Sequence, residues 1–170
     1  MKAAAIVYTS NTGTTAQYAQ LLAQETGLPV YSSPEAKDAL PVQSEIIYFG
    51  WLMAGSIQGY KAAAKKYRIR AVCAVGMGQT GSQLEDARKS NAIPSGIPIF
   101  TLQGGFHMER LRGIYRFMMQ IMAKTFGKKL ANKAERTAEE DDMLDLLLHG
   151  GSRVSAEHLK SVLDWYSAPQ

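Results

Sequence analysis

The chain has 170 residues, 46% hydrophobic and 20% charged, with a formal net charge of +4 and a single cysteine. This length fits one domain with a well-buried core, and no apolar run approaches the roughly 18 residues that span a bilayer. The spread of lysine and arginine, without interleaved aromatics, excludes a nucleic-acid footprint, and the lone Cys73 excludes an internal disulfide framework and fits a reducing cytoplasm.

The first eight residues, Met1-Lys2-Ala3-Ala4-Ala5-Ile6-Val7-Tyr8, carry no cleavage region and lead straight into a polar loop, so they read as a first strand rather than a signal sequence. Further strands are expected over residues 29–32, 45–51, 70–76 and 97–102, the first one covering 3–8. Helices are expected over 14–26, 57–67 and 82–91, with only a short turn over 34–40. The central strands are continuous apolar runs, the mark of strands covered on both faces. Alternation of strands and helices then predicts an α/β fold, a doubly wound parallel sheet, with ligands outside the carboxyl ends of its strands. Cys73, between Val72 and Ala74, reads as an inert buried thiol.

Between the first strand and first helix lies Ser10-Asn11-Thr12-Gly13-Thr14-Thr15. The hydroxyls of Ser10, Thr12, Thr14 and Thr15 each offer a donor, and Gly13 permits the positive φ that turns successive N–H groups inward. The start of the following helix adds free N–H groups and a positive dipole end. These are the requirements of a phosphate dianion. The loop contains no lysine, which separates it from a Walker A site.

Ser10, Thr12, Gly13 and Thr15 match every defined position of the Ser/Thr-x-Thr-Gly-x-Thr loop of flavodoxins, and the resemblance covers roughly residues 1–105. It implies a flavodoxin-like five-stranded sheet of order 2-1-3-4-5. It also implies bound FMN, with its phosphate on this loop and its ring between two later loops. The first of these is Trp51-Leu52-Met53-Ala54-Gly55, followed by Ser56. Trp51 supplies an aromatic face for a flat ring, and flavodoxins similarly place a tryptophan after this strand. The second is Gly76-Met77-Gly78-Gln79-Thr80-Gly81, where Gly76, Met77, Gly78, Gln79 and Gly81 are the expected contacts through backbone N–H and C=O groups. Its Gly-x-Gly-x-x-Gly pattern is no Rossmann fingerprint. It does not follow the first strand, and the expected acid about 20 residues on is missing. Many flavodoxins carry a tyrosine in this loop, and this chain has none.

Residues 103–151 read as a helical extension of a single domain spanning 1–170. A helix over 108–126 is expected to pack Leu111, Ile114, Tyr115, Met118, Ile121 and Met122. A second begins at Thr137, with Glu140 in capping-box spacing, and stops at Gly150-Gly151. A third, after Ser155, packs Leu159, Val162, Leu163 and Tyr166. The basic residues between Arg110 and Arg136 and the acids from Glu139 to Asp145 read as mutually attracting solvated helix faces. The run from Gly104 to Met122, together with Gly55-Ser56-Ile57, resembles the flavodoxin-domain family that includes menaquinone-dependent protoporphyrinogen IX dehydrogenase. That likeness implies two-electron chemistry on a quinone or porphyrinogen.

The leading expectation is an FMN-binding redox protein acting in electron transfer, exchanging electrons with a partner protein or a small hydrophobic acceptor. A flavin-dependent oxidoreductase of the quinone or porphyrinogen class is the alternative, with a peripheral membrane contact. A non-redox interaction module that has lost its flavin is the third. His107 is placed near the expected flavin edge, where an imidazole can move a proton. His149 and His158 lack metal-ligand spacing, and Ser56 does not sit in a Gly-x-Ser-x-Gly elbow, which leaves hydrolase chemistry without support.

Overall fold

The computed structural model describes residues 3–169; Met1, Lys2 and Gln170, the ends of the expected single domain, lie outside the described residues. Apolar, β-branched runs form β1 (Ala5–Thr9), β2 (Val30–Ser32), β3 (Glu45–Met53), β5 (Arg68–Gly76) and β6 (Ile99–Gln103). They pair in parallel in the order β2-β1-β3-β5-β6. A short antiparallel strand, β4 (Ser56–Ile57), folds back on the end of β3.

Period-two alternation sends successive side chains to opposite faces, and both faces are buried. Ala5, Val7, Ile46, Tyr48, Val72 and Ala74 meet helices α2 (Ser33–Ala39), α3 (Tyr60–Lys66) and α4 (Leu84–Ser90) through Ala36, Tyr60, Ala63 and Ala87. Ile6, Ile47, Phe49, Cys73 and Val75 meet α1 (Thr14–Thr26) and α7 (Lys160–Ser167) through Tyr18, Ala19, Leu22 and Val162. Each large side chain so buried contributes about 1.5–3 kcal/mol. Burial also pushes the Cys73 thiol well above its ordinary range, which keeps it protonated and unreactive.

Residues 34–40, expected to turn, instead form most of α2. Ser32 and Glu35 make a reciprocal capping box, Pro34 lies in the first turn, and Ala36 is buried. The helix expected from residue 57 starts at Tyr60, because Ser56 and Ile57 are drawn into β4.

The extension departs furthest from expectation. A two-residue ribbon, β7 (Gly105–Phe106) with β8 (Gly151–Ser152), closes its base. Residues 108–110 form a single 3-10 turn, and the long helix α5 runs from Gly113 to Ala131. It packs on α6 (Ala138–His149), which Thr137 and Glu140 cap reciprocally. The small core between them is Phe106, Leu111, Met119 and Leu146.

Of the stripe expected to pack, Leu111 and Met122 do so, while the rest faces outward. Ile114 is 68% exposed, Phe117 62% and Ile121 52%, with Tyr115 and Met118 also exposed. Nearly every position of α5 that could lie inward is apolar, so two stripes compete. The small core takes the one containing Met119, Met122 and Ala123. The charged run is only partly a pair of attracting faces. Lys133–Glu140 and Arg136–Asp141 pair at 2.6 Å, while other acids of α6 turn back toward the sheet.

Candidate functional site

The strand order reverses beside β1, whose neighbours are β2 and β3. Crevices open at such points outside the carboxyl ends of the strands. The three loops singled out in the sequence all leave the carboxyl ends of β1, β3 and β5.

In the first loop Gly13 has φ +103°, and Ser10 Oγ accepts the Gly13 N–H at 3.2 Å. Gly13 is the N-cap of α1 and provides no side-chain acceptor, and the first turn holds no acid. The opening N–H groups of the helix therefore have no carboxylate or hydroxyl cap. Thr14 and Thr15 are buried, and Thr15 Oγ1 has no hydrogen-bond partner within the protein. A buried hydroxyl left unpaired costs about 1–3 kcal/mol.

Beneath this loop runs a chain of hydroxyls for which no sequence pattern is a signal. Thr9 Oγ1 lies 2.7 Å from Tyr48 Oη and 2.8 Å from Ser33 Oγ. Ser33 donates to the Tyr8 carbonyl, and Tyr48 to that of Gln58. Burial raises the Tyr48 phenol above its ordinary range, so it stays a neutral donor. Gly59 belongs to the same arrangement: it adopts φ +80°, and a Cβ there would collide with Tyr48 Oη and Thr9 Oγ1.

The second loop is a tight β-hairpin. Ala54 and Gly55 both have positive φ, +49° and +78°, between the paired Met53 and Ser56, as a type I′ turn requires. Asn91, at the end of α4 and only 3% exposed, fastens it. Its Oδ1 accepts the Ile57 N–H at 2.8 Å, and its Nδ2 donates to the carbonyls of Gly55 at 2.8 Å and Ala87 at 2.7 Å. Asn91 is a positioning residue that periodicity does not reveal.

The third loop is tied to the sheet and the extension. The Gly104 N–H donates to the Gly76 carbonyl, the Gly81 N–H to the Thr101 carbonyl, and the Gln103 N–H to Thr80 Oγ1. The Gln79 N–H is taken by Glu139 of α6 at 3.2 Å. Gln103 links both sides: its Nε2 donates to Asp142 Oδ2 at 2.5 Å, and Asp142 in turn accepts from Arg153 Nε at 2.9 Å. Arg153 also reaches Asp145, and these two carboxylates hold its guanidinium even more firmly protonated.

The loops enclose a cavity of about 280 Å³. Asn11, Thr12, Thr14 and Thr15 form one end, Trp51, Leu52, Met53, Ala54 and Gly55 one side, and Gly76, Met77 and Gly78 another. Ser10, Gly13, Gln79 and Gly81 support these loops without lining the cavity. The extension closes it from above with Phe106, His107, Leu111, Met119, Met122, Phe126 and Met143. This roof of aromatic and thioether groups is soft and apolar. His107 Nδ1 lies 3.1 Å from Glu109 Oε1. The Glu109 carboxyl is held below its usual range by its own backbone N–H and by His107.

A cavity with helix N–H groups and hydroxyls at one end, mostly apolar walls, and Gln83 and Asp86 as further polar lining suits an elongated ligand carrying an anion at the hydroxyl end. Comparison with protein-family models, curated proteins and solved structures returns no match to this chain.

Proposed function

We propose that this chain is an FMN-binding, flavodoxin-like redox protein that transfers electrons in a reducing cytoplasm. The observation that carries this reading is Thr15 Oγ1, buried and without a partner beside the uncapped start of α1, at the polar end of an apolar cavity. A phosphate oxygen there satisfies both the hydroxyl and the free N–H groups. The order β2-β1-β3-β5-β6 also supports it: with the hairpin strand set aside it is consistent with the 2-1-3-4-5 order of flavodoxin-like sheets, which bind FMN at such a switch point.

FMN, when bound, supplies one- or two-electron redox chemistry through its ring. The residues of this chain position and shield that ring. Trp51 and the hairpin fixed by Asn91 offer one flank, the glycine-rich loop after β5 offers backbone groups to a ring edge, and the extension excludes water from above. The direct test is to incubate the purified protein with FMN, remove excess, release what remains bound by heat and identify it by mass. Stoichiometric FMN is the expected result, and its absence overturns the reading.

One observation favours the second reading, an oxidoreductase acting on a quinone or porphyrinogen. The roof is built largely of methionines and Phe126, and beside it α5 presents Ile114, Phe117 and Ile121 outward between Arg112 and Lys124, with no acid along the helix. A basic face with exposed apolar side chains suits an anionic membrane surface. Turnover of NAD(P)H with a quinone, or oxidation of a porphyrinogen, distinguishes enzyme from carrier. Co-sedimentation with vesicles containing anionic lipid tests the membrane contact. Among the described residues no helix is long and apolar enough to cross a membrane.

A further inference from the structure

The phosphate loop contains no lysine, yet the fold brings a cation to it from the extension. Arg110, at the end of the 3-10 turn after β7, donates from Nη1 to the Thr12 carbonyl at 3.0 Å. The same nitrogen stands 3.6 Å from where a Cβ of Gly13 would be, so the guanidinium lies against the loop itself. We propose that Arg110 is a phosphate ligand, supplied by the extension to the loop after β1. This rests on the FMN reading.

The electrostatics point the same way. The N-terminus of a helix carries the positive end of its dipole, and a cation beside it is repelled. The first turn of α1 offers no acid to offset that repulsion. Glu109 lies 3.9 Å from Arg110 Nε, but its closer partner is His107 at 3.1 Å. An anion seated between the guanidinium and the helix start converts the repulsion into two attractions. It also gives the unpartnered Thr15 Oγ1 an acceptor. Arg110 uses one N–H on Thr12, which leaves most of its donor fork for phosphate oxygens. The 3-10 turn and the β7–β8 ribbon set the reach of this side chain.

The experiment compares FMN with riboflavin, which lacks the phosphate, by fluorescence titration of the wild type, Arg110→Gln and Arg110→Lys. Gln can still bond the Thr12 carbonyl but has no charge, whereas Lys keeps the charge. Arg110→Gln is expected to weaken FMN about tenfold and leave riboflavin unchanged, while Arg110→Lys retains most of the affinity. High salt is expected to narrow the gap, because the side chain is 54% exposed. Equal losses for Gln and Lys would make Arg110 only a brace for the loop and overturn the proposal, as would FMN binding unchanged in Arg110→Gln. A wild type that binds riboflavin and FMN equally overturns the proposal but leaves a flavin site. A wild type that binds neither overturns the FMN reading itself.

Discussion

The indole of Trp51 meets the ring of Tyr115 edge-on, with centroids 5.4 Å apart and planes at 76°. This contact joins the loop after β3 to the first turns of α5, so the extension touches the very residue expected to face the flavin ring. Trp51 lines the cavity, while the other tryptophan, Trp165, packs by Phe100 on the edge strand β6. A bound flavin is therefore expected to quench Trp51 far more strongly than Trp165. Titrating Trp165→Phe with FMN should extinguish nearly all indole emission. Trp51→Phe should lose clearly less, and equal quenching in the two variants would place the ring elsewhere.

Thr15→Val separates binding from stability. The substitution removes a hydroxyl that has no partner within the protein and keeps the β-branched shape. The flavin-free variant should unfold at an equal or higher temperature, with a gain of about 1 kcal/mol. FMN affinity should fall by about tenfold, because the hydroxyl that a phosphate oxygen completes is gone. Lower stability without FMN, with affinity unaffected, would show that the hydroxyl serves the fold alone.

The parts of this fold that repeat a strong local pattern were legible. The boundaries of α1 and the two-sided strands β3 and β5 follow from apolar runs and from the polar loop with Gly13. The reciprocal cap of Thr137 and Glu140 was equally readable. Short elements were not. β4, β7 and β8 have two residues each, and two residues carry no periodicity. The inward stripe over 108–126 is only partly legible: Leu111 and Met122 pack as expected, but Met118 and Met119 are chemically alike, and only the tertiary position of α6 decides which is covered. The three loops of the site were visible as glycine and hydroxyl clusters. Asn91, Tyr48 and Arg110 were not, since each acts on a loop distant in sequence.

Asn91→Ala tests whether the hairpin is held from behind. The change leaves the Ile57 N–H and the Gly55 carbonyl without the partner that now satisfies them. Two such losses at a buried position cost about 2–3 kcal/mol, readable as a lower denaturant midpoint at unchanged slope. FMN affinity should fall too, since Ala54 and Gly55 lose their fixed turn. Stability within about 0.5 kcal/mol of wild type would show that the bonds are dispensable.

Alkaline unfolding should report on Tyr18. Its hydroxyl is buried among the Gln103 carbonyl at 2.5 Å, His158 Nδ1 at 2.6 Å and the Ser155 N–H, tying α1 to the end of β6 and to the turn before α7. Burial pushes the phenol up from 10 to about 12. The folded state thus resists ionisation: the contribution is fully present below pH 10 and is lost as pH rises through about 12. It amounts to at most about 3 kcal/mol, less whatever solvent screens. Tyr18→Phe should be less stable than wild type at neutral pH, because it gives up the hydrogen bonds. Its stability should decline less steeply between pH 10 and 12, so the two curves converge. Parallel decline of both proteins over that window would show that Tyr18 does not set the alkaline limit.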